Sequence, residues 1–190
     1  MIQVRWDELS GQGVGDGGCR RVLGDALETE HLAMNHFVIP PGDGFPGGLH
    51  AHMDQEEVFL VLEGEATFET FVGKRVVPAG HAIRFAPGEF QSGTNASDSD
   101  LVAFALGAPR DSSDTRIPVA CPECSHDTLR LHVDTDHQRF VCPGCGAERV
   151  PRDCPSCGGE DLRIARSDDD STIAKCHDCA AVFDEPPMHR

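Results

Sequence analysis

Two histidines two residues apart, His50 and His52, and an acidic residue five positions further on, Glu57, form the first group in this chain that could do chemistry. Successive side chains on a strand point to opposite faces, so His50 and His52 project from the same side. Glu57 comes after a short polar stretch, placed to bring a carboxylate in from the next strand, and Phe59 and Val61 share its face. Two imidazoles and a carboxylate are the donor set of a divalent transition metal, with positions left open for substrate or oxygen. The blander reading is a pair of surface histidines beside an acidic turn.

The second group is larger. Eight of the nine cysteines fall into four CxxC pairs beyond residue 120: Cys121/Cys124, Cys142/Cys145, Cys154/Cys157 and Cys176/Cys179. The first two pairs are separated by 17 residues and the last two by 18. A CxxC turn directs two thiolates inward, and two such turns across a hairpin complete a tetrahedral four-thiolate site. The near-equal spacing marks two copies of one module. It favours sequential pairing, with Cys121, Cys124, Cys142 and Cys145 on one ion and Cys154, Cys157, Cys176 and Cys179 on another. Nested pairing, with Cys142/Cys145 joined to Cys154/Cys157, is the competing scheme. His177 lies inside a CxxC turn, but four cysteines leave it no vacancy. Both units resemble zinc ribbons of the transcription-factor type, which implies two zinc ions; rubredoxin-like iron is the alternative for the same ligands. Modules of about 30 residues bury too little to fold alone, so metal supplies much of their folding free energy.

The elements that must position the histidines lie between Arg20 and Leu106. Short apolar or alternating runs occur at His31–Ile39, Glu57–Leu62, Glu65–Phe71, Ala82–Phe85 and Leu101–Leu106, separated by Gly/Pro turns. This pattern predicts an all-β sandwich or barrel. The Gly-rich run 10–18 lacks the Lys-Ser/Thr of a phosphate loop and reads as a surface loop. Cys19 stands alone. The expected organisation is an N-terminal segment 1–19, a barrel 20–108, a linker 109–118, and two ribbons at 119–150 and 151–186.

Within the barrel, Gly44-x5-His50-x-His52-x4-Glu57-x6-Gly64 resembles the first motif of the cupin superfamily at every signature position. Gly80-x5-Ala86-Pro-Gly88-x2-Gln91-x3-Asn95 resembles the second, with Ala86 in place of the usual proline and Gln91 in place of the usual histidine. The resemblance implies a mainly β, double-stranded β-helix (jelly-roll) barrel with its site in the interior. It implies His50, His52 and Glu57 as ligands of one divalent ion: iron, manganese, nickel or zinc. Only Glu57, not Glu56, keeps the six-residue interval to Gly64. Gln91 is a fourth ligand, a holder of metal-bound water, or the mark of a barrel that binds a small molecule without metal. His31, His36 and His81 are left outside the site. Cupins include dioxygenases, isomerases and lyases as well as ligand sensors, so the catalytic residues stay unassigned.

The net charge of −16 comes from 32 acidic against 16 basic residues, of which only Lys74 and Lys175 are lysines. Abundant carboxylates with few lysines suit a high-salt cytoplasm, where screening relieves self-repulsion. No signal-peptide pattern opens the chain, no apolar run reaches membrane-spanning length, and CxxC pairs point to a reducing compartment. Residues 119–190 hold 8 basic and 14 acidic side chains, a poor match for nucleic acid. The chain therefore reads as a cupin acting on or binding a small molecule, with its ribbons as a structural or docking module. The alternative is a non-catalytic sensor that signals to a protein partner through the ribbons. Cupin resemblance further implies a homodimer.

Overall fold

The computed structural model describes residues 1–133, 138–167, 169 and 171–189. They divide into two compact units, 1–46 with 52–113, and 47–51 with the chain from 114 onward. No helix among them is long and apolar enough to cross a membrane.

The first unit is a β-barrel. Its strands are β1 Gln12–Val14, β2 Gly18–Val22, β3 Ala33–Ile39, β5 Glu56–Glu63, β6 Glu65–Thr70, β7 Gly73–Pro78, β8 Ala82–Phe85, β9 Gln91–Thr94 and β10 Leu101–Ala108, while the two-residue β4 Ala51–His52 falls in neither of its sheets. One sheet has the order β1-β2-β3-β10-β5-β8 and the other β7-β6-β9. Alternation decides what fills the space between them. On β5, Phe59 and Val61 are buried, while Leu62 lies on the outer face. Phe37 and Ile39 of β3, Ala66 and Phe68 of β6, and Leu101 and Ala103 of β10 join them in one core. The rings of Phe45 and Phe59 stand 4.9 Å apart edge to face, and those of Phe59 and Phe68 4.8 Å apart. Full burial of each such side chain is worth about 1.5–3 kcal/mol. Gly93 on β9 is forced by this packing, because a Cβ there would sit 2.6 Å from both Phe45 and Phe68.

The Gly-rich run expected as a surface loop is a hairpin instead. β1 and β2 pair antiparallel, and β2 continues onto β3 with Arg20 opposite Phe37. Its glycines serve the reversal, where Gly15 (φ +56°) and Gly17 (φ +143°) take conformations closed to most side chains. Glycines scattered through short strands hid the alternation that would have revealed them.

In the second unit, β11 Thr115–Ile117, β12 Leu129–Val133, β13 Gln138–Val141, β14 Glu148–Pro151 and β18 Met188–His189 align in the order β18-β14-β13-β12-β11. A separate sheet holds β15 Leu162–Arg166, β16 Thr172–Cys176 and β17 Val182–Phe183. Among the described residues the unit's buried apolar side chains are few: Leu49, Ala51, Ile117, Val119, Leu129, Ile164 and Ala174, beside Cys121, Cys142, Cys154 and Cys176. The boundary at 113/114 falls inside the stretch expected as a linker, and 115–117 of that stretch form a strand.

Candidate metal centres

Strand register builds the polar end of the barrel. Glu57 lies two residues before Phe59 on the same face of β5 and pairs with Phe85 of β8. Gln91 lies two before Gly93 on β9 and pairs with Thr70 of β6. A layer of phenylalanines therefore gives way, one step along the strands, to Glu57, Gln91 and Thr70. There the Gln91 amide Nε2 donates to Glu57 Oε2 (2.9 Å), and Gln91 is only 3% exposed.

The side chains of His50, His52 and Glu57 bring one ligand atom each to within 4.8 Å of one another. His52 Nε2 is 3.7 Å from Glu57 Oε1, and both side chains are 18% exposed. Ligands about 2.1 Å from a common ion can be no more than ~4.2 Å apart, so the donor set is close to the dimensions of a metal site. Its chemistry fits as well. His50 Nδ1 lies 2.8 Å from the carbonyl oxygen of Gly48. A carbonyl only accepts, so Nδ1 carries the proton and Nε2 the lone pair. His52 Nδ1 is similarly engaged with Ser112 Oγ at 2.9 Å.

The family match falls within the barrel. Residues 35–107 match the family model described as the Cupin domain. Residues 35–107 are a cupin domain. Among solved structures, a sugar phosphate isomerase from a cupin superfamily of Silicibacter pomeroyi is similar, with 20% identity and a TM-score of 0.52. That similarity covers 77% of this chain and 90% of the other. The polyketide cyclase RemF of Streptomyces resistomycificus is 19% identical with a TM-score of 0.52, over 65% of this chain and 89% of its own. Identities this low establish the double-stranded β-helix fold and nothing finer. No curated protein matches significantly.

Other residues of the cupin motifs sort by what they touch. Glu56 points away from Glu57 and pairs with Arg84 Nε at 2.7 Å. Asn95 is fully buried, donating to the carbonyls of Ile39 and Ser99 and accepting from Ser97 N–H. It is a latch for the turn 95–99. His31 and His81 are exposed. His36 lies outside the core, its ring 5.3 Å from Phe104 and 6.3 Å from Trp6. Burial, then the nearby Arg21 charge, holds His36 below the usual imidazole range.

The eight paired cysteines form two clusters, Cys121, Cys124, Cys142 and Cys145, and Cys154, Cys157, Cys176 and Cys179. Both are consistent with zinc ribbons. Sulfur pairs lie 3.5–3.7 Å apart, with Cys124 facing Cys142 and Cys157 facing Cys176. All four turns share one backbone hydrogen-bond plan, in which the first cysteine accepts from the N–H four residues on and donates to the carbonyl five residues on. Cys121 thus accepts from Ser125 N and donates to His126 O, and Cys176 does the same with Ala180 and Ala181. Burial opposes ionisation of Cys142, yet N–H groups of Cys145 and Gly144 and the thiols of Cys121 and Cys124 outweigh it and lower it to about 6. The His126 N–H favours the Cys124 thiolate, but the thiols of Cys145 and Cys142 dominate and raise it to about 12. Crowded thiols thus share protons until a cation lets all of them ionise.

The residue after each second cysteine needs a left-handed backbone. Gly146 and Gly158 supply it at φ +74° and +77°, whereas Ser125 and Ala180 adopt φ +57° and +58° with a Cβ present. Such a conformation costs an L-residue about 1–2 kcal/mol. Ser125→Gly and Ala180→Gly are each expected to stabilise their module by about 0.5–1 kcal/mol after the added chain entropy, read as a higher thermal midpoint of the metal-loaded protein.

Proposed function

We propose that this chain is a metal-dependent cupin that binds a small molecule at a divalent ion in the barrel, with two zinc ribbons as a structural and docking module. The observation that carries the reading is the convergence of the His50 and His52 imidazoles with the Glu57 carboxylate at the polar end of an otherwise apolar barrel. Three donors leave open positions, which an oxygen-bearing ligand would complete, and the ion would supply Lewis-acid polarisation of that oxygen. Glu57 supplies the negative charge, Gln91 orients it, and the phenylalanine layer below limits water. We assign the ribbons to protein contact because residues 119–190, with 8 basic and 14 acidic side chains, are net acidic and a poor match for nucleic acid.

The test is metal content per chain in protein purified at high salt without chelator. Two zinc ions and a third divalent ion are expected. Two ions only, even after reconstitution, would show that the barrel works without metal.

A further inference from the structure

We propose that Ser112, outside both cupin motifs, and Asp54, at an unspecified position within the first, are positioning residues that make His52 a metal ligand; the proposal rests on the barrel metal reading above. The hydrogen bonds run in one direction. The Ser112 hydroxyl donates its proton to Asp54 Oδ1 (2.7 Å), so toward His52 Nδ1, 2.9 Å away, Ser112 Oγ can only accept. The carboxylate end fixes the hydroxyl, the hydroxyl fixes the imidazole proton on Nδ1, and the lone pair falls on Nε2, the atom nearer Glu57. The opposite tautomer would aim an N–H at the ion.

The support is itself held in place. Asp54 Oδ2 accepts from both the backbone N–H of Ser113 (2.8 Å) and its hydroxyl (2.7 Å). The next residue, Gln55, is buried and donates to the carbonyls of Pro109 (2.6 Å) and Arg110 (3.3 Å). Two adjacent side chains of the 52–55 turn thus pin 109–113, the first half of the stretch expected as a linker. Partners of this kind typically change metal affinity 10–100-fold when removed.

Two readouts on the full chain, with its ribbons metal-loaded, test the proposal. The first is the His52 tautomer in the metal-free barrel, from ¹⁵N imidazole shifts assigned by the signal missing in His52→Asn. Wild type and Ser112→Thr are expected to hold the proton on Nδ1, and Ser112→Ala to lose that preference. The second is barrel affinity for Mn²⁺, a hard ion that leaves thiolate sites alone. Ser112→Ala and Asp54→Asn are expected to weaken it by roughly 10–100-fold and Ser112→Thr to restore it. Unchanged tautomer and affinity in Ser112→Ala, with wild type binding Mn²⁺, would overturn the positioning role alone. A wild-type barrel that takes up no metal would overturn the metal reading and this role with it.

Discussion

Cys142→Ser is expected to unfold the first four-cysteine module, lower zinc from two ions per chain to one, and leave the second module and the barrel intact. The cluster draws on Cys121, Cys124, Cys142 and Cys145 alone, so no thiol from the second cluster can substitute. Among the described residues of the module 119–150 and the strand before it, Ile117, Val119 and Leu129 are the buried apolar residues apart from the cysteines, far too few to hold a module of this length. An ion held by the four thiolates would therefore serve as the core, and its binding free energy would be folding free energy. Acid should act in the same way. With Cys124 and Cys157 each pushed up to about 12 in the metal-free clusters, protons compete directly with the ion, and affinity rises with pH and falls on acidification. Zinc content with limited proteolysis reads the outcome. A Cys142→Ser protein that kept both ions and resisted cleavage beyond residue 120 would break the argument.

What could be read in advance divides along a physical line. The strands around Phe59, Phe68 and Leu101 were legible because burial on one face imposes a two-residue period. The four CxxC turns were legible because near-equal spacing of paired thiols suits a tetrahedral ion and little else. The cupin resemblance pointed to the polar end of the barrel through His50, His52 and Glu57. Hairpin 12–22 was not legible, since five glycines between Ser10 and Cys19 carry no side-chain pattern. Nor was the Asp54–Ser112 bond, which joins residues 58 apart through a stretch whose composition is that of a linker. Ser125 and Ala180 concealed their left-handed backbone because the residue type that usually signals it is absent. Local periodicity and ligand spacing are written in neighbouring residues; hydrogen bonds between distant polar side chains are set by the fold.

Glu57→Ala is expected to remove the third divalent ion altogether, the largest single effect available in the barrel. Glu57 is the one carboxylate of the triad, and its loss leaves only the two imidazoles. It also strands Gln91, whose amide donates to Glu57 at 2.9 Å and is shut away from water, at a cost of about 1–3 kcal/mol to the fold. Charge and packing can be separated. Glu57→Gln keeps an acceptor for Gln91, so it should fold like wild type yet bind metal much more weakly; equal loss of stability in both variants would mean the carboxylate serves the fold rather than an ion. Glu56→Ala is the matched control one residue away. Glu56 is 44% exposed and pairs with Arg84 on the outer face, a contact worth ~0–1 kcal/mol, so metal content should not change. Loss of the third ion from Glu56→Ala but not from Glu57→Ala would exchange their roles and place the site on the opposite face of β5. Strand alternation argues against that exchange, because only Glu57 shares its face with Phe59 and Val61, the buried residues of that strand.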